Sequence, residues 1–184
     1  MHAKENDLRL FLSLKENNRK SLNVIFLKYY DPLLAFGKNF LNENDAEEIV
    51  LDVFFNLWQK KEQLQIKDSL KAYLFASVRN GCINELNKKK LKTETIEKSF
   101  LHKQIKEQQQ PDDILLYEEV KIRFNRLLEE LPDQCKLIFK LSRDEQLSHK
   151  EISTILNISV NTVNTQIYRA LKFFKSRMQS EIPA

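Results

Sequence analysis

The sequence predicts an all-α protein of two small helical domains joined by a polar linker, the second domain a helix-turn-helix. Three observations predict it. Gly occurs twice and Pro four times in 184 residues, which leaves little material for tight turns. Apolar residues recur at three- and four-residue spacing along most of the chain. From about 91 to 111 they thin out into Lys, Glu, Gln, Thr and Ser, closing on Gln108-Gln109-Gln110-Pro111, the composition of a tether. The predicted domains are therefore 1–90 and 112–184, with 91–111 as linker.

Taken in order, Asp7 to Glu16 forms a short first helix on Leu8, Phe11, Leu12 and Leu14. A second helix from about Arg19 to Leu41 carries Val24, Phe26, Leu27, Tyr30, Leu33, Leu34 and Phe36 as its apolar face. Asp31-Pro32 within it predicts a kink or break, because Pro lacks the amide donor. Asn42 to Asn44 reads as a loop, with Asn44 capping the next helix and Glu47 at its third position.

That helix, Asp45 to Lys60, carries more apolar surface than one core contact needs. Ala46, Ile49, Val50, Val53, Phe54 and Leu57 make an ordinary core stripe. Leu51, Phe55 and Trp58 make a second, and Asp45, Glu48 and Asp52 occupy what remains. A surface helix needs a single apolar stripe. The surplus means either burial on two sides or a partner surface with an acidic rim.

A loop with Lys60, Lys61 and Lys67 follows, and Asp68 is the predicted cap of a helix from about Ser69 to Lys90. Leu70, Tyr73, Leu74, Ser77, Val78, Cys82, Ile83 and Leu86 supply its face. Gly81 within it costs about 1 kcal/mol relative to Ala. Its far end presents Arg79, Asn80, Asn84, Asn87 and Lys88-Lys89-Lys90, with Lys71 nearby in sequence. They read either as a solvated face, with Lys suiting a helix C-terminus, or as contacts to nucleic-acid phosphate.

Beyond the linker, Asp112-Asp113 opens a helix to about Leu131. Pro132 stops it, and Asp133 caps a helix to about Ser142. Ser148 with Glu151 is a capping box. Ile152, Ile155 and Leu156 follow at helical spacing, and Asn157 suits a left-handed turn. Ser159 caps a last helix with Val163, Ile167, Ala170, Leu171 and Phe174 on one face. Asn161, Asn164, Thr165, Tyr168, Arg169 and Lys172 then point outward. Asn and Thr can read base edges, and Arg and Lys can hold phosphate. Arg169, Lys172, Lys175 and Arg177 add four positive charges with no acid between them.

Charge is a modest guide: 30 Lys and Arg against 26 Asp and Glu give +4, which permits nucleic-acid binding without demanding it. Cys82 and Cys135 are expected as free, buried thiols. The apolar run near 8–14 is too short to span a membrane, so a cytoplasmic protein without membrane insertion is expected. Two Gly preclude a glycine-rich phosphate loop. His2, His102 and His149 lack partners at metal spacing. No enzyme, metal or cofactor is expected.

Three stretches together resemble a known family. Asp45-Ala-Glu-Glu-Ile-Val-Leu-Asp52-Val-Phe-Phe-Asn-Leu-Trp58 is similar to the region 2 polymerase-binding helix of bacterial sigma factors. Tyr73-Leu-Phe-Ala-Ser-Val-Arg79-Asn80 resembles the promoter-melting helix that follows it. Leu131-Pro132 with Ser148-His-Lys-Glu-Ile-Ser and Ile158-Ser159-Val-Asn-Thr-Val163 resembles region 4. The two-domain size is similar to the extracytoplasmic-function (ECF) group of the sigma-70 family.

The resemblance implies a sigma factor that directs promoter-specific initiation, with core RNA polymerase, promoter DNA and an anti-sigma factor as partners. Asp45, Glu48, Leu51, Asp52, Phe55 and Trp58 would meet polymerase. Lys60, Lys61, Lys67, Lys71, Arg79, Asn80, Asn84 and Lys88 would meet the −10 element, with an unstacked base held by the Lys60–Asp68 loop. Asn161, Asn164, Thr165, Tyr168, Arg169 and Lys172 would meet the −35 element. Asn157 stands where the family often has Gly, and Asn164 and Gln166 where bases are common, so Arg169 and Lys172 carry more of the expected −35 contact. Two other readings explain part of the chain: a helix-turn-helix regulator whose N-terminal module dimerises or senses a signal, and an adaptor.

Overall fold

The computed structural model describes residues 2–66, 69–92 and 115–179. Within these residues it is all-helical: α1 (His2–Lys15), α2 (Arg19–Gly37), α3 (Glu43–Lys60), α4 (Leu70–Lys92), α5 (Leu115–Glu129), α6 (Asp133–Arg143), α7 (His149–Leu156) and α8 (Val160–Gln179). The segment predicted as a linker lies, apart from the end of α4, outside the described residues. So do the predicted cap Asp68 and the predicted helix opening at Asp112-Asp113.

In the first half, α3 packs between α2 and α4, and α1 lies against α2 and α4. Asn18 starts α2 by accepting the Lys20 amide at 3.1 Å. No break occurs at Pro32: the helix runs through it. Burial of Tyr29, Leu33 and Phe36 on either side compensates the one missing backbone bond. The helix ends at Gly37, earlier than expected. Val24 and Leu27, expected on the apolar face, are exposed.

Asn42, rather than Asn44, caps α3. Its side-chain oxygen accepts the Asp45 amide at 3.0 Å, and its Nδ2 donates to the Asp45 carboxylate at 2.7 Å. This reciprocal pairing favours Asn42 among the available Asn residues. Ser69 starts α4 by accepting the Ala72 amide at 3.1 Å.

Asp7 is 4 % exposed, a buried carboxylate on α1. It accepts from Lys28 Nζ at 2.5 Å and from the Tyr29 hydroxyl. A buried charge needs such partners, so this trio ties α1 to α2.

In the second half, α6 and α7 pack on α8. Phe124, Phe139 and Phe174 share an aromatic centre, with Phe174 rings 5.0 and 5.1 Å from the other two. Pro132 occupies the N-cap of α6 without a side-chain bond, and Asp133, the expected cap, is the first helical residue. After α6, Gln146 takes φ 52° and turns the chain back, so that Leu147 is buried and its amide reaches Leu141 O at 3.1 Å. The helix-turn-helix forms as expected. The Ser148–Glu151 capping box is complete, Asn157 is left-handed at φ 52°, ψ 50°, and Ser159 Oγ accepts the Thr162 amide at 3.0 Å.

The chain's two glycines both mark close helix contacts with α3. A Cβ on Gly37 would lie 3.3 Å from Ala46 Cβ, and one on Gly81 would lie 2.6 Å from Ile49 Cγ2. Ile is stiff at its first side-chain torsion, so the methyl cannot easily swing away. Gly81→Ala therefore gains helix propensity but forces α3 from α4. A net destabilisation of about 1 kcal/mol is expected, read as a lower urea midpoint.

Candidate nucleic-acid interface

The outer face of α3 resolves its surplus apolar surface. Ala46, Val50, Val53, Phe54 and Leu57 are buried, whereas Leu51 and Phe55 are 45 % and 58 % exposed. The helix is thus not covered on both sides. Glu48 and Asp52 are exposed beside them, and Asp45 is half-buried. At one edge the Tyr30 hydroxyl donates to Glu47 at 2.6 Å, and that bond pushes Tyr30 above the usual phenol range. Trp58 is half-buried beneath Lys61, whose Nζ sits 3.6 Å from the ring centre. Lys61 is accordingly only 8 % exposed and faces the tryptophan, not solvent.

Between α3 and α4 runs a groove of about 400 Å³ lined by Asp52, Asn56, Ser77, Asn80, Asn84 and Lys88. Asn80, Asn84 and Lys88 are exposed, and Arg79 is half-buried with its guanidinium near the Asn80 oxygen. Lys60 is exposed at the end of α3. Lys67 lies outside the described residues.

Lys71 departs from a free basic residue. Its Nζ meets Glu145 Oε2 at 2.6 Å and donates to the Glu145 carbonyl at 2.7 Å. Glu145 belongs to the loop between α6 and α7, so this ammonium joins the two halves where α4 packs on α7. No local sequence pattern signals a pair 74 residues apart.

On α8 the outward residues are where periodicity puts them. Asn161, Asn164, Thr165, Tyr168, Arg169 and Lys172 are all exposed, Tyr168 at 65 %. Leu171, expected on the buried face, is exposed, and Val163, Ile167, Ala170 and Phe174 suffice to anchor the helix. Arg177 folds back to Glu130 at 3.3 Å, leaving Arg169, Lys172 and Lys175 as the outer bases. Sequence reasoning missed a contact in the turn: His149 Nδ1 lies 2.6 Å from Asn164 Oδ1.

Both thiols are free and buried. Burial pushes Cys82 up to about 11. It also raises Cys135, against the opposing charge of Arg169. Burial of both argues against nucleophilic use. Among the described residues no cluster of His, Cys, Asp or Glu could hold a metal, and no helix is long and apolar enough to cross a membrane. The arrangement offers binding surfaces: an acid-rimmed apolar patch, an amide-lined groove and a helix-turn-helix face.

Comparison with known proteins covers both halves. Residues 25–91 match Sigma-70 region 2, and residues 121–174 match Sigma-70, region 4. The chain is 19% identical over 173 residues to the ECF RNA polymerase sigma-E factor of Escherichia coli (strain K12), covering 90% of this chain and 91% of that one. It is 19% identical over 180 residues to the factor of the same name in Haemophilus influenzae, covering 94% and 95%. A similar fold occurs in the sigma factor RpoE of Bartonella quintana, solved with the anti-sigma factor NepR. The TM-score is 0.63 at 19% identity, over 89% of this chain and 99% of that one. CnrH, solved with the cytosolic domain of CnrY, gives 0.58 at 16% identity, over 96% and 99%.

Lys71→Met keeps the aliphatic stem but removes the ammonium. It is expected to destabilise the chain by about 1–2 kcal/mol and to speed amide exchange in both 70–75 and 144–152. Faster exchange in neither segment would mean that the pair does not hold the halves together.

Proposed function

The chain belongs to the sigma-70 family, in its extracytoplasmic-function group, and we propose how its surfaces divide the work of promoter-specific transcription initiation. Its partners are core RNA polymerase, promoter DNA and an anti-sigma protein. It acts by binding, in the cytoplasm where polymerase works, and supplies no catalytic group of its own.

The observation that carries this reading is the exposed Leu51–Phe55 pair on α3, flanked by Glu48 and Asp52. Two large apolar side chains on a helix already anchored by a full core stripe suit a partner surface. We assign this face to core polymerase. Asp45 and Trp58 stand at its margin, Trp58 as a support held under Lys61.

Arg79, Asn80, Asn84 and Lys88, with Lys60 at the neighbouring helix end, would line the path of the −10 element. Lys67 joins them by sequence position. Amides and hydroxyls in the α3–α4 groove suit base edges, and the flanking bases suit phosphates. An unstacked base held by the Lys60–Asp68 loop would offset the cost of melting without ATP. Lys61 and Lys71 are engaged elsewhere in this structure and would contact DNA only after release. The outward residues of α8 would read the −35 element, with Arg169 and Lys172 holding phosphate or guanine. Few phosphates are neutralised at either site, so each contact alone is weak. Attachment of both to one polymerase raises their effective concentration and makes the pair specific. The domain division at 1–90 and 112–184 fits these two roles.

Phe55→Asp tests the polymerase face, because an exposed residue can change without unfolding the core. Core binding is expected to weaken by about 2 kcal/mol or more, with unchanged helical circular dichroism. Arg169→Ala is expected to weaken promoter binding about tenfold and leave core binding intact, measured on the same preparations. Failure of the wild-type chain to support promoter-dependent transcription with core enzyme would overturn the whole assignment.

A further inference from the structure

The geometry points to His149 as a positioning residue that sets which base edge Asn164 reads. The inference rests on the assignment of α8 to promoter reading and adds to it a specificity rule.

His149 is the first residue of α7, and Asn164 is on the outer face of α8, 15 positions later. The left-handed Asn157 turn brings the two together. Nδ1 of the ring lies 2.6 Å from the amide oxygen, so the ring N–H donates and Oδ1 accepts. The start of α7 is itself rigid. The Ser148 amide and hydroxyl donate to Glu151 Oε2 at 2.8 and 2.6 Å. The ring is half-buried, while Asn164 remains exposed. An otherwise free Asn could turn either end of its amide toward DNA. Here the oxygen end is occupied on the protein side.

The consequence is chemical. An Asn that reads adenine needs both ends, Nδ2 donating to N7 and Oδ1 accepting from the N6 amino group. His149 takes one of the two Oδ1 lone pairs and holds the oxygen turned toward α7, so the Nδ2 donors are the end of Asn164 left to face a base edge. It then suits an edge made of acceptors, such as guanine N7 and O6, and disfavours the amino groups of adenine and cytosine.

The test uses holoenzyme assembled from core polymerase and full-length chain. Binding is measured to promoters in which each −35 base pair is varied singly, for wild type, His149→Ala, His149→Gln, Asn164→Ala and the Ala double variant. At the one base pair where Asn164→Ala loses discrimination, His149→Ala is expected to shift the guanine-to-adenine preference about tenfold toward adenine, the value of one bidentate contact. Other positions should not change. His149→Gln keeps a side-chain donor and should restore part of the wild-type preference. In the Asn164→Ala background, His149→Ala should have no further effect on preference. A uniform loss on all promoters, or an equal shift with Asn164 absent, would overturn the clamp while leaving base reading by α8 in place. If Asn164→Ala changes preference at no base pair, base reading at Asn164 fails and the clamp fails with it.

Discussion

Helix α3 is gripped from two sides by helices that come close because each carries a glycine where it touches. Gly37 on α2 admits Ala46, and Gly81 on α4 admits Ile49. Neither glycine has a positive φ; the left-handed turns fall to Asn17, Gln146 and Asn157 instead. The composition that first suggested few turns therefore has a second meaning: glycine is reserved for helix contact. The grip uses the core stripe of α3 fully. Leu51 and Phe55, on the opposite side, are left exposed. The same close contact forms the floor of the α3–α4 groove, so the exposed apolar patch and the amide-lined groove are two faces of one packing decision.

Much of this was legible because the signals are local. The Ser148–Glu151 box, the Asn157 turn and the outward set on α8 depend on residues within one or two turns of each other, and the structure matches them. Local signals also misled where two candidates competed. Asn42 and Asn44 are both fair caps, and the partner Asp45 decided for Asn42. Pro32 is a breaker in isolation, yet burial of its neighbours carried α2 through it. Leu171 shares the helical period of the core and still faces outward, because α6 and α7 cover only part of α8's circumference.

The illegible part is long-range polar pairing. Asp7 with Lys28 and Tyr29, Lys71 with Glu145, and His149 with Asn164 join residues 15 to 74 positions apart. Periodicity says that such a side chain faces a neighbour or solvent, not which partner meets it. This matters most for basic residues. A count of Lys and Arg treats Lys60, Lys61 and Lys71 alike. In three dimensions one is exposed, one lies over an indole and one binds a carboxylate. The electrostatic footprint is narrower than the composition suggests: on α4 Lys88 and Lys89 also have carboxylate partners, Glu85 and Asp45, and the outer bases of α8 stand out.

The bond between Lys71 and Glu145 has a thermodynamic consequence. A phosphate that takes Lys71 replaces one anionic partner with another, so the exchange adds little net affinity. It also strands Glu145, which must recruit water or a cation. Linkage then works in both directions: occupation of α4 by an anionic strand loosens the α4–α7 contact, and any agent that draws the α6–α7 loop away makes α4 a better anion binder. One ammonium thus serves as a shared account between intramolecular order and ligand occupancy.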